Sequence, residues 1–190
     1  MPERVQKGQG TMRAFTFENA TKIYFGGGCV KEHLLEAVKP YGETVMLAYG
    51  GGSIKTNGIY QEVMDVLKLA GKQVIEFSGI MPNPTYSKVM EGKKVVQENQ
   101  VDLILAVGGG SVMDCSKAIS MAAATDKDVW EEYWIKKGEI DFEPVPVGVI
   151  VTVVGTGSEV NGEGVITHEE QKIKTSRNYP RCNPVFAMMD

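Results

Sequence analysis

VDLILAVGGGSVMDCSK, residues 101–117, runs from an apolar stretch through three glycines and a serine into the opening of a helical pattern. Strand, glycine loop and helix in that order make a site for phosphate. Glycines let the backbone approach an anion closely, and the first turn of the following helix offers unpaired N–H groups and a positive dipole end. A second version, VMLAYGGGSIK, occupies residues 45–55. Two such loops, each directly after an apolar run, point to a ligand with more than one group to hold.

Outward from these loops the chain alternates. Residues 13–17 and 22–25 read as an N-terminal β-hairpin, and residues 30–39 as a helix closed by Pro40 and Gly42. Residues 44–49 form a strand, 56–70 an amphipathic helix stopped by Gly71, and 73–77 a strand. A rigid loop at 81–85 leads into a helix over 85–99, the strand at 101–107 and a helix over 111–123. A short helix at 130–137 and a buried strand at 145–153 follow, and residues 160–190 read as short strands and loops, with 184–190 a strand. Strands alternating with helices of this length give an α/β fold, a parallel sheet with helices on both faces. Ligands bind such sheets at the carboxyl ends of the strands, where every glycine-rich loop falls. The polar, aperiodic residues 1–11 read as a flexible leader, and 12–190 as one dinucleotide-binding domain.

Composition narrows the function. The 190 residues are 43% hydrophobic and 23% charged, with a net charge of −4 and no basic cluster, which speaks against a nucleic-acid surface. No apolar run approaches the roughly 20 residues that span a bilayer. Three scattered cysteines build neither a disulfide framework nor a zinc knuckle, and these features together favour the cytoplasm.

The common nucleotide signatures are absent. No glycine stands five residues before a Gly-Lys pair, which removes the P-loop. The fingerprint G-x-G-x-x-G fails in its last position at Met113, Lys55 and Val160. GGGSVMDCSK at residues 108–117, followed by TVVGTGSE at 152–159, instead resembles the iron-containing (group III) alcohol dehydrogenases. The loop PNPT at 82–85 and the opening KIYFGGG at 22–28 fit the same family, and the butanol dehydrogenase and aldehyde reductase branch is most similar. The resemblance implies a nucleotide-binding domain of the dehydroquinate synthase-like type, acting with a nicotinamide cofactor on a small alcohol or aldehyde.

It also implies roles for single residues. Gly109, Gly110 and Ser111 would hold the cofactor pyrophosphate, with Asp114 nearby on the helix and Asn83 facing the cofactor. Thr152, Thr156 and Asn161 would line the phosphate and nicotinamide-ribose side, and Lys174 would reach the ribose. NAD-preferring relatives often carry an aspartate after the second strand, where this chain has Gly51, Gly52, Ser53 and then Lys55. An uncharged loop with a hydroxyl and a lysine accepts a 2′-phosphate that a carboxylate would repel, so NADP(H) is expected over NAD(H). The family's divalent metal, iron or zinc, is held by one aspartate and three histidines of a helical second domain. This chain has two histidines, neither at metal-ligand spacing. No catalytic or metal residue is therefore expected here, and the isolated chain is expected to bind cofactor without turnover. Exposure of the face that a second domain covers would favour self-association, a homodimer included.

Plainer readings stand beside these. Ser111 with Asp114, and Thr156 with Glu159, also have capping-box spacing. Lys117 reads as a surface lysine of open role, Lys55 as a solvated loop charge, and His33 and His168 as structural or surface residues. Cys115 reads as a buried, inert thiol, and Trp130, Tyr133 and Trp134 as a lid or packing helix. A glycerol dehydrogenase or dehydroquinate synthase is the second enzyme reading. A nucleotide-binding or regulatory module without catalysis is the non-enzyme one.

Overall fold

A computed structural model describes residue 16 and residues 18–190. Its sheet is built from β1 (Lys22–Phe25), β2 (Thr44–Tyr49), β3 (Gln73–Phe77), β4 (Leu103–Gly108), β5 (Val147–Val151) and a strand near the end of the chain, Phe186–Met189. A two-stranded antiparallel ribbon, β6 (Glu163–His168) and β7 (Ile173–Asn178), makes that last strand β8. All pairs of the large sheet are parallel, in the order β1-β8-β5-β4-β2-β3. The helices are α1 (Cys29–Val38), α2 (Ser53–Thr56), α3 (Ile59–Leu69), α4 (Tyr86–Glu98) and α5 (Gly110–Ala123). The α/β expectation is met.

Period-two alternation sorts the central strands between two cores. Val45, Leu47, Leu103, Leu105 and Val107 face one way, into a core with Leu34 and Val38 of α1 and Val63 and Leu67 of α3. Met46, Ala48, Ile104 and Ala106 face the other, against Val89 and Val96 of α4 and Met113 and Ile119 of α5. Every residue of β4 is buried, which is why residues 103–108 read as a continuous apolar run. Fully burying each Leu or Ile stabilises the fold by about 1.5–3 kcal/mol.

Two elements depart from expectation. The helix expected over 56–70 is α3 and begins only at Ile59, after Gly58 in a left-handed conformation (φ 89°), and the separate short α2 forms before it. Residues 130–135 form a π-helical turn, with Lys136 N–H bonding to the Glu131 carbonyl at 2.9 Å. The strand expected at 184–190 is β8, and it is an inner strand of the sheet, between β5 and β1. The expected leader and all of the expected hairpin's first strand except residue 16, which is in neither helix nor strand, lie outside the described residues, and the hairpin's second strand is β1, an edge strand parallel to β8. No helix among the described residues is long and apolar enough to cross a membrane.

Candidate functional site

From β2 the chain moves outward to β3; from β4 it moves the opposite way to β5. The sheet therefore has a topological switch between β2 and β4, where the loops leaving two neighbouring strands part and open a crevice. Both glycine loops stand there. Val112 of α5 ties them together: a Cβ on Gly108 would lie 2.5 Å from Val112 Cγ2, and one on Gly50 3.9 Å from the same atom. Glycine at 108 is thus required by packing, and at 50 the fit is looser.

The second loop leads into α5 through Gly109, and no side chain caps that helix. Its first-turn N–H groups are left open to an anion in the crevice. The 152–159 segment lies against this loop. Thr152 N–H bonds to the Gly108 carbonyl at 3.0 Å, and a Cβ on Gly110 would stand 2.7 Å from Thr156 Cγ2. Gly109, Gly110, Ser111, Thr152 and Thr156 therefore share one ledge. Val153 and Val154, at the tip of that segment, are 66% and 71% exposed.

Asn83 and Lys174 meet from distant parts of the chain. Asn83 has a left-handed backbone (φ 55°) in the loop after β3, and its Oδ1 accepts from Lys174 Nζ of β7 at 2.5 Å. The ribbon that carries Lys174 is fastened to the same loop by Thr167 N–H bonding to the Pro84 carbonyl at 3.0 Å.

Lys117 is the largest departure from the sequence reading. It is not a surface lysine: its relative exposure is 2%. Its Nζ donates to Ser158 Oγ at 2.7 Å, the Ser158 carbonyl at 3.0 Å, the Asn161 carbonyl at 3.0 Å and Asn161 Oδ1 at 3.3 Å. Asp114 Oδ1 lies 3.7 Å away. Burial pulls the Lys117 ammonium down to about 8, against the favourable Asp114 charge. Asp114 is pushed above the usual carboxylate range by burial, opposed by hydrogen bonds from Ser158 Oγ at 2.5 Å and Val165 N–H at 3.2 Å and by Lys117. The pair, with Asn161, braces the 152–161 segment from behind. Asn161 Oδ1 also accepts from Glu163 N–H at 2.9 Å.

The capping boxes do not form. Gly109 precedes α5 where the box would need Ser111. Gly157, at φ 73°, precedes the single turn Ser158–Val160, and Thr156 Oγ1 accepts from Ser158 N–H at 3.2 Å.

Gly51, Gly52 and Ser53 line the first loop and enter α2. Beside them lies a cluster centred on Glu76, a residue with no role in the sequence reading. Tyr49, Gly50, Gly51, Gly52, Lys55, Ser78 and Gly79 line the adjoining cleft. Lys55 is exposed, as a loop charge should be, and is also an ion-pair partner of Glu76. The signal for Glu76 was its place near the end of the strand following a glycine loop and helix.

The other side chains are structural. Cys115 is fully buried and its thiol is pushed up to about 12 by burial. His33 stacks on Tyr24 and His168 on Tyr86. Trp130, Tyr133 and Trp134 are buried, and the indole N–H groups bond to Gln171 Oε1 and the Gly164 carbonyl, which is packing and not a lid. Among the described residues no group of three or more His, Cys, Asp or Glu side chains could hold a metal.

The iron-containing alcohol dehydrogenase family model matches residues 20–190. The chain belongs to the iron-containing alcohol dehydrogenases. It is 44% identical over 179 residues to a probable NADH-dependent butanol dehydrogenase of Bacillus subtilis, covering 94% of this chain and 46% of that protein. It is 37% identical over 180 residues to an NADPH-dependent aldehyde reductase of Escherichia coli, covering 94% and 46%. The crystal structure of an NADH-dependent butanol dehydrogenase A from Thermotoga maritima superposes with a TM-score of 0.88 at 39% identity, over 94% of this chain and 44% of that one. This iron-containing alcohol dehydrogenase chain thus spans slightly under half the length of the relatives it matches.

Proposed function

We propose that the chain is the cofactor-binding unit of an NADP(H)-preferring, metal-activated alcohol dehydrogenase of the butanol dehydrogenase type, interconverting primary alcohols and aldehydes. The observation that carries this reading is the meeting of two glycine loops at the switch point, with the Thr152–Thr156 ledge against one of them.

In this reading Gly109, Gly110 and Ser111 bind the pyrophosphate through open amides, and the hydroxyls of Thr152 and Thr156 close that side. Asp114, Asn161 and Lys117 keep the ledge in place, because their polar atoms are occupied by one another and by Ser158. Asn83 and Lys174 reach the nicotinamide ribose from the ribbon side. Gly51, Gly52 and Ser53 admit the adenosine end, and the uncharged loop beside Lys55 favours a 2′-phosphate. The nicotinamide, when bound, supplies the hydride. The chain's own part is to hold its rings in a fixed orientation, which converts an encounter into a positioned reaction.

The described residues offer no metal-ligand set, so the metal that activates the alcohol oxygen in this reading would not be held by them. These 190 residues alone are expected to bind cofactor without reducing butanal. Calorimetric titration with NADPH and NADH tests the reading: saturable binding of both, tighter for NADPH, is expected. Binding of neither overturns it, and a clear NADH preference overturns the cofactor choice.

A further inference from the structure

Glu76 occupies the penultimate position of β3, whose Leu47-opposed register places it beside the end of β2. In a strand, glycine loop, helix and strand unit, this is where an acidic side chain meets the hydroxyls of an adenosine ribose. Here the carboxylate gathers four elements. Oε2 accepts from the Tyr49 hydroxyl at 2.6 Å and from Lys55 Nζ at 3.2 Å, and Oε1 accepts from the Tyr60 hydroxyl at 2.8 Å. Lys55 Nζ also stands 4.5 Å from the Tyr60 ring centroid and 5.2 Å from that of Tyr49. The lysine that the loop offers to a phosphate is therefore already held, on the rim of the cleft lined by Tyr49, Lys55 and residues 50–52.

The electrostatics follow from the geometry. Hydrogen bonds from Tyr49 and then Tyr60 hold the Glu76 carboxyl below its usual range, so it stays charged at neutral pH. Its charge cancels that of Lys55 at distances beyond the pair. An incoming 2′-phosphate, which brings about two negative charges, meets a neutral pair instead of a free ammonium. A ribose bearing only hydroxyls meets an acceptor.

We propose that Glu76 is a specificity residue for the cofactor: its carboxylate neutralises Lys55, and so holds any NADP(H) preference well below what the lysine beside an uncharged glycine loop would give. The assignment rests on the reading that the adenosine end of a nicotinamide cofactor lies over residues 50–53.

The test is Glu76→Gln, which removes the charge on a half-exposed side chain, keeps an acceptor for one tyrosine hydroxyl and offers an amide N–H to the other. Calorimetric dissociation constants for NADPH and NADH are measured on the unsubstituted chain and the variant. The NADH-to-NADPH ratio of constants is expected to rise roughly tenfold in the variant, and the rise to shrink as salt is added. Adenosine 2′,5′-bisphosphate should tighten in parallel while 5′-AMP does not, a readout independent of the nicotinamide end. A ratio unchanged to within about twofold, or equal tightening of both cofactors, overturns the role of Glu76 and leaves the nucleotide reading standing. Failure of the unsubstituted chain to bind either cofactor overturns both.

Discussion

The loop at residues 50–52 and the loop at residues 108–110 share a composition and a position, three glycines at the end of a buried parallel strand, and differ in what stands behind them. Behind the second is a sealed polar knot, Lys117 at 2% exposure with Asp114, Ser158 and Asn161, which ties α5 to residues 158–165 that follow the threonine ledge. Beside the first is an open cluster, Glu76, Lys55 and Tyr60, on side chains that water reaches. Rearranging a sealed knot costs several kcal/mol, whereas an open pair of charges is worth about 1 kcal/mol or less. A diphosphate common to every nicotinamide cofactor suits the first kind of support. A ribose that differs between cofactors suits the second.

The widest break in this contrast comes from Lys117→Met. It leaves Asp114 buried without its cation and is expected to destabilise the fold by about 3–5 kcal/mol in urea unfolding at pH 7. The same pair of proteins carries a pH signature. Lys117 sits near 8 in the folded chain against its usual 10.5. Between those values the unfolded state binds more protons, so this residue's contribution to stability rises with pH through that window and is least favourable below it. The gap between wild type and variant should therefore widen by as much as roughly 3 kcal/mol from pH 8 to above 10.5. A constant gap would mean that the ammonium is not the titrating group.

Gly110→Ala comes next. Its methyl group would stand 2.7 Å from Thr156 Cγ2, and overpacking of this kind costs about 1–3 kcal/mol. NADPH and NADH should weaken together, by roughly tenfold, in calorimetric titration. The smallest effect belongs to the first loop: Lys55→Met should weaken NADPH by about threefold and leave NADH within error. Equal losses for both cofactors would erase the distinction between the loops.

Periodicity carries the elements that repeat it. The buried runs in β2, β4 and β5 and the amphipathic α3 are legible because each buries a face long enough to leave a pattern. β8 is legible as a strand within residues 184–190, but its place between β5 and β1 is not, since four residues are too short to tell a central strand from an edge one. The split before α3 turns on one backbone angle at Gly58, which composition alone does not reveal. In the site, the glycines and the threonine ledge are legible through motif spacing. Lys117 and Glu76 are not, because a charge reads as solvated by default, and only tertiary contacts say that one is buried and the other tethered.

β8 lies between β5 and β1, and Asp190 just beyond it accepts from Gly28 N–H at 2.7 Å and Val30 N–H at 3.2 Å. During synthesis this sets an order of events. The strand made first among those described has no neighbour in the sheet until residues 186–189 have left the ribosome, while β2, β3 and β4 can already pair. Closing so long a loop is slow, and an unpaired strand edge is an aggregation hazard in the interval. Through that interval the nascent chain presents Ile23 and Phe25, which are still 50% and 83% exposed once β1 has paired with β8.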